Sequence, residues 1–170
     1  MAAIAQEGAV IPAGTWRVDP VHSSITFTVV DTASLFSAIT GRFTDFEGVL
    51  VAGEEPGSAR ASGGIRAASI ATDADKRDAH LRSPDFFDIE RFPEIRFESD
   101  RIEPAGEHRV RVTGRLVIKE QPQEVELDAR LVSGRSEAGE ERLIFQGEGS
   151  IAWGAMTVTI NATMTAAKEA

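Results

Sequence analysis

Cysteine is absent from the 170 residues, and so is tyrosine. The first absence excludes a disulfide framework, a thiolate metal centre, an iron–sulfur cluster and a cysteine nucleophile. Positive charge is scarce: 18 Lys and Arg stand against 27 Asp and Glu, giving a net charge of −9 and a pI near 4.9. Nucleic acid and anionic membrane surfaces would meet the wrong sign of field, so neither is an expected partner. No glycine-rich phosphate cradle and no Gly-x-Ser-x-Gly elbow occurs, and no cofactor is expected. The longest uncharged run, residues 149–167, is long enough on paper to cross a bilayer. Ser150, Thr157, Thr159, Asn161, Thr163 and Thr165 break it, several in alternation with apolar residues, so it reads as strands and not as a stable membrane insertion. Residues 1–7 have neither a basic start nor a sustained apolar stretch, which makes the cytoplasm the expected location.

What the chain does have is alternation. Hydrophobic residues make up 42%, enough for the core of one domain at this length. Ile25, Phe27 and Val29 alternate with Thr26 and Thr28; Ile95 and Phe97 with Arg96 and Glu98. Val110, Val112, Gly114, Leu116 and Ile118 alternate with arginines and threonine, and Val125, Leu127, Ala129 and Leu131 with acids and Arg130. Met156, Val158, Ile160, Ala162 and Met164 complete the set, with weaker runs near residues 16–19, 43–51, 60–70 and 143–151. A period of two places one set on a dry face and the other in water. Turn-forming residues at 53–57, 100–107, 120–123 and 134–139 separate the runs. About eight or nine such strands expose edges unless the sheet closes, so the fold class is all-β, an antiparallel barrel or a strongly bent sandwich. One segment, residues 73–83, is charged and rich in helix formers, with Thr72 or Asp73 placed to cap it. Pro84, Phe86, Phe87, Phe92 and Pro93 then predict a packed connection across one end of the barrel.

Three segments together resemble the YceI-like family of lipocalin-like, polyisoprenoid-binding proteins. The first is residues 16–27, with Trp16, Asp19-Pro20 and His22-Ser23-Ser24; the second is residues 41–48, with Gly41-Arg42-Phe43 and Phe46-Glu47-Gly48. The third and most specific is residues 76–99, with Asp78-Ala79-His80-Leu81-Arg82-Ser83 and Pro84-Asp85-Phe86-Phe87-Asp88, then Phe92-Pro93. The chain departs from the family pattern at residues 118–125 and 153–156. The resemblance implies an antiparallel lipocalin-like barrel of about eight strands over residues 14–168, behind a flexible segment at 1–13, with a helix closing one end. It implies non-enzymatic binding, transport or storage of a long apolar molecule, a polyisoprenoid, in the barrel interior, and it is compatible with a homodimer.

Several constellations carry candidate chemistry. Strand positions Phe27, Val29, Phe46, Ile65, Phe97, Val112, Leu116, Leu127 and Ile160 are the expected cavity lining. Phe36 joins them, as do Leu81, Phe86 and Phe87 from the helix and its connection. Small inward residues, Gly114, Ala129, Gly147, Gly149 and Ala162, favour a slot over a filled core. Trp16 and Trp153 read as packing anchors. Lys76, Arg77 and Arg82 are head-group candidates, because arginine forks match phosphate oxygens; the alternative is pairing with Asp73, Asp75, Asp78 and Asp85. No metal site is expected. The alternative reading places an ion or acid–base chemistry on His22 and His80 with their carboxylate neighbours, against imidazoles that merely bond locally. Ser23 beside His22 lacks any sign of an oxyanion hole. A third reading is an interaction module with a filled core and no ligand.

Overall fold

The alternating residues zip into strands, and the strands into a ring, in a computed structural model that describes residues 11–31, 38–55, 57–135, 139–153 and 156–169. The strands are β1 (Gly14–Val18), β2 (Ser24–Asp31), β3 (Ala38–Phe43), β4 (Phe46–Ala52), β5 (Arg60–Arg66) and β6 (Ile70–Ala71), then β7 (Glu94–Gly106), β8 (Arg109–Ile118), β9 (Gln121–Arg135), β10 (Glu141–Trp153) and β11 (Met156–Lys168). One helix, α1 (Asp75–Arg82), lies between β6 and β7. All pairings are antiparallel.

Six of the strands are halves of three longer ones. β1 and β2 both lie along β11, while β1 pairs with β4 and β2 with β3. β5 and β6 in turn pair with β4 and β3. Local chemistry makes the breaks. Between β1 and β2 a 3-10 turn, Pro20–His22, starts at a proline that cannot donate to a ladder, and the Asp19 side chain accepts from the Val21 N–H at 3.0 Å. A second 3-10 turn, Ala67–Ser69, separates β5 from β6. With the halves joined, eight strands follow one another around the ring in chain order, and Trp16↔Lys168 through Val18↔Ala166 close it. The fold is a closed antiparallel eight-stranded barrel with one helix. Closure removes the sheet edges that an open meander would expose.

The expected faces hold. Val110, Val112, Gly114, Leu116 and Ile118 of β8 are all buried, while Arg109, Arg111 and Arg115 face solvent. The interior divides into two clusters. One, on the helix side, gathers Phe27, Phe43, Phe46, Phe87, Ile95 and Ile151; the other, beside the closing seam, gathers Trp16, Val110, Val112, Leu131 and Leu143. Phe97 and Leu127 pack against both, so they mark the waist between the halves.

The structure corrects the reading at four places. Helix α1 begins at Asp75, after Ala74 in the capping position, and neither Thr72 nor Asp73 caps it. Asp73 sits in the left-handed region at φ 65°, and Thr72 is buried, donating its N–H to Asp78 Oδ1 at 2.9 Å and its hydroxyl to the same oxygen. The carboxylate within the helix therefore recruits the threonine that the sequence offers as a cap. Residues 100–106 belong to β7: bulges between Ser99 and Arg101 and between Pro104 and Gly106 absorb the irregular residues and let pairing continue. Residues 121–123 belong to β9, and the turn is only Lys119-Glu120, at φ 53° and 64°. Finally, residues 11 and 12 belong to the barrel: Ile11 packs on the seam cluster, and the Pro12 carbonyl accepts from Trp16 Nε1 at 2.9 Å. Residues 149–167 form the end of β10 and most of β11 where described, and no described helix is long and apolar enough to cross a membrane.

Candidate functional site: the barrel lumen

The barrel encloses a cavity of about 490 Å³ that extends through both halves. That lies within the usual size of a small-molecule site. Its lining is almost wholly apolar, because the inward positions of nearly every strand contribute to it. Of the strand candidates, Phe27, Val29, Phe46, Ile65, Phe97, Val112, Leu116, Leu127 and Ile160 all face the cavity. Leu81 from α1 and Phe86 and Phe87 from its connection reach it too. Phe36 lies outside the described residues.

The two neighbouring phenylalanines have different surroundings. Phe87 is buried, with its ring edge-on to Phe43 at 6.1 Å and tilted against Trp153 at 5.1 Å. Phe86 is half-buried and stands edge-on to the His80 ring at 4.9 Å. Trp16 is packed to 1% exposure at the seam. Both tryptophans also border the cavity.

Several lining residues escape the sequence reading. Phe145 was legible in principle, since it shares parity with Leu143 and Gly147. Phe43 sits one strand-half before Phe46, where a weak run hid the break between β3 and β4. Ile11 carries no periodic signal at all. Of the small inward residues, Ala162 lines the cavity as expected, whereas Gly114 and Gly147 act differently. A Cβ at Gly114 would lie 2.9 Å from the Phe97 ring, and one at Gly147 would lie 2.7 Å from the Phe145 ring. Neighbouring side chains occupy the space that the glycines leave, and the cavity lies beyond them.

Polar groups are few in the lining. Among the described lining residues Glu47 is the single ionisable one; it is 63% exposed and bonded to Arg66 at 2.9 Å, and Arg66 also meets Glu94 at 2.6 Å. The histidines are not brought into a shared site with several carboxylates. His22 Nδ1 meets Asp19 Oδ2 at 2.7 Å in the 3-10 turn, and His80 Nε2 meets Asp85 Oδ2 at 3.1 Å past the helix end. The hydrogen bond from His22 is the main cause holding the Asp19 carboxyl below its ordinary range, with the Val21 N–H and Arg142 adding to it against partial burial. Among the described residues, no three His, Cys, Asp or Glu side chains gather closely enough to hold a metal ion. Ser23 Oγ donates to the Asp19 carbonyl at 2.7 Å and accepts from the Thr165 N–H at 2.9 Å, so it stitches the break between β1 and β2 to β11.

Two of the three head-group candidates are spent on bonds within the protein. Arg77 donates to the Thr72 hydroxyl at 2.8 Å and carbonyl at 2.7 Å. Arg82 donates to the carbonyls of Ala68 at 3.0 Å and Ile70 at 2.8 Å. Lys76 is exposed on α1. The two arginines thus tie the helix to β6 and the turn before it; the pairing with helix carboxylates that the sequence suggested is replaced by these bonds.

A closed antiparallel eight-stranded barrel with an almost wholly apolar lumen and one helix defines a lipocalin-type architecture. The chain belongs to the YceI-like family, whose domain model matches residues 16–169. A UPF0312 protein of Photorhabdus laumondii is 36% identical over 118 residues, covering 68% of this chain and 61% of the relative. A UPF0312 protein of Pseudomonas putida is 30% identical over 131 residues, covering 76% of this chain and 61% of the relative. The chain thus spans about three fifths of the length of these relatives. The crystal structure of Burkholderia cenocepacia BcnA superposes with a TM-score of 0.73 at 20% identity, covering 87% of this chain and 98% of that one. A polyisoprenoid-binding domain from Saccharophagus degradans, implicated in plant cell wall breakdown, superposes with a TM-score of 0.64 at 13% identity, covering 93% of this chain and all of that domain. At these identities the structural likenesses establish the fold.

Proposed function

We propose that this chain binds a long apolar molecule, a polyisoprenoid, inside the barrel and carries or stores it without chemical change. The observation that carries the reading is the lumen itself: about 490 Å³ of space walled by aliphatic and aromatic side chains from both core clusters. Burial is worth ~0.8 kcal/mol per methylene-sized group, so each five-carbon unit contributes ~4 kcal/mol before ordering costs. Affinity then needs no dedicated polar contact, which suits a lining whose single ionisable side chain among the described residues is paired with Arg66. The His22–Asp19 and His80–Asp85 pairs lie at the surface.

The test is native mass spectrometry of the purified protein beside solvent extraction. A stoichiometric adduct built of five-carbon repeats, present as purified or after incubation with prenyl lipids, is the expected result. A spectrum that stays free of ligand after that incubation overturns the reading. The same spectra count protomers and so decide whether the carrier is a homodimer.

A further inference from the structure

Four of the inward glycines of the barrel wall would each bring a Cβ within 3 Å of the side chain of a cavity-lining residue. A Cβ built on Gly41 would lie 2.6 Å from the Phe27 ring; on Gly114, 2.9 Å from Phe97; on Gly147, 2.7 Å from Phe145; on Gly149, 2.7 Å from Leu127. No real Cβ tolerates such approaches. None of the four glycines lines the cavity, whereas Phe27, Phe97, Phe145 and Leu127 all do. The missing Cβ atoms are therefore recesses that let bulky side chains lie back against the wall.

Three of these recesses serve the waist. Phe97 and Leu127 touch both core clusters. Phe145 belongs beside the seam cluster, and its ring leans along β10 over Gly147, toward Ile151 of the helix-side cluster. Were these side chains to stand away from the wall, they would project into the lumen between the two clusters. At ~30 Å³ per water-sized group, a cavity of about 490 Å³ holds on the order of sixteen such groups, but only if its halves communicate.

Resting on the reading that the lumen binds an apolar chain, we propose that the recessed waist side chains set the bore of the barrel, and that the ligand is a slender chain long enough to lie through both halves, with Gly147 as a specificity-determining residue. Gly147 is the position where this can be tested without moving backbone. A methyl at Gly114 or Gly149 would strike a carbonyl oxygen, that of Glu98 or Glu126, and one at Gly41 would approach the Ala71 carbonyl at 2.9 Å. A methyl at Gly147 meets only side chains: the Phe145 ring and, at an ordinary 3.5 Å, the Ala129 Cβ. Gly147→Ala thus turns the ring toward the lumen.

The experiment titrates fifteen-carbon farnesol and ten-carbon geraniol into the full chain, read by the fluorescence of Trp16 and Trp153, both of which border the cavity. The wild-type protein is expected to prefer farnesol. Gly147→Ala should lower the farnesol-to-geraniol affinity ratio by about tenfold or more, which is within what burying five further carbons supplies. Adding Phe145→Leu removes the displaced ring and should restore the ratio; this double variant also decides the matter if the single variant folds poorly. An unchanged ratio in Gly147→Ala, or no restoration in the double variant, overturns the gauge while leaving the carrier reading intact. Wild-type protein that binds neither alcohol overturns the carrier reading and the gauge with it.

Discussion

Asp78 shows how one side chain can organise the plugged end. It is buried, and its Oδ1 accepts from both the N–H and the hydroxyl of Thr72, while Arg77 holds the Thr72 hydroxyl and carbonyl from the other side. The Thr72 hydroxyl is the main cause that lowers the Asp78 carboxyl below its ordinary range; the Thr72 N–H and the charges of Arg82 and Arg77 add to it, against burial. A depressed carboxyl means that the folded state binds fewer protons than the unfolded chain near pH 4. The stabilisation is then complete above the unfolded value of about 3.9 and is lost as pH falls through the lower folded value. Asp78→Asn should therefore cost about 1–3 kcal/mol at pH 7, and the gap to wild type should close as pH falls through the lowered folded value. Urea unfolding at several pH values measures it, and a gap that persists undiminished in acid would show that lost packing and not charge is responsible. None of this was visible beforehand. Thr72 followed by acids looks like a helix cap, and the choice between capping and reaching back to Asp78 is made by burial.

At the scale of elements, strands were legible wherever one face is dry and the other charged, as in β8 and β9, because period-two patterning is then nearly noise-free. Twelve of the thirteen cavity candidates come from strands or from the helix and its connection and face the lumen, with Phe36 outside the described residues. The breaks within long strands were not legible, since a 3-10 turn such as Ala67–Ser69 has no local signature, and bulges hid the true end of β7. The β8–β9 turn is a sharper case. Lys119 and Glu120 both adopt left-handed backbone, at φ 53° and 64°, as a two-residue hairpin of primed type requires. Neither residue favours it, and each carries a cost of about 1 kcal/mol that glycine or asparagine largely avoids. The double change Lys119→Asn with Glu120→Gly should stabilise the protein by about 1–2 kcal/mol. Thermal unfolding would register this as a higher Tm, and a lower Tm would mean that the Lys119 or Glu120 side chain makes a contribution the backbone geometry does not reveal.

For the molecule as a whole, containment depends on ring closure, and closure is unequal around the ring. β10 and β11 pair along their full lengths, from Arg142↔Ala167 to Trp153↔Met156. The closing ladder of β1 with β11 is short, from Trp16↔Lys168 to Val18↔Ala166. It is reinforced by Asp19 N–H to the Thr165 carbonyl and Glu169 N–H to the Thr15 carbonyl, both 2.8 Å, and by an exposed Arg17–Glu169 pair at 2.7 Å. Exposed ion pairs contribute little, so the largest anchor is Trp16. It is 1% exposed, set between β4 and β11, and bonded through Nε1 to the Pro12 carbonyl. Trp16→Ala should cost about 3–5 kcal/mol, and its effect should be local before it is global, because short ladders open at lower free energy than the rest of a fold. Amide hydrogen exchange should accelerate first at Gly14–Val18 and at residues 166–168, while β7 and β8, paired along most of their length, exchange only with global unfolding. If every amide accelerates alike, the seam opens no more readily than the rest of the ring, and a ligand would then have to pass the helix-side plug. If the seam leads, the barrel has a weakest line of closure, and it runs beside the same Trp16 that borders the lumen.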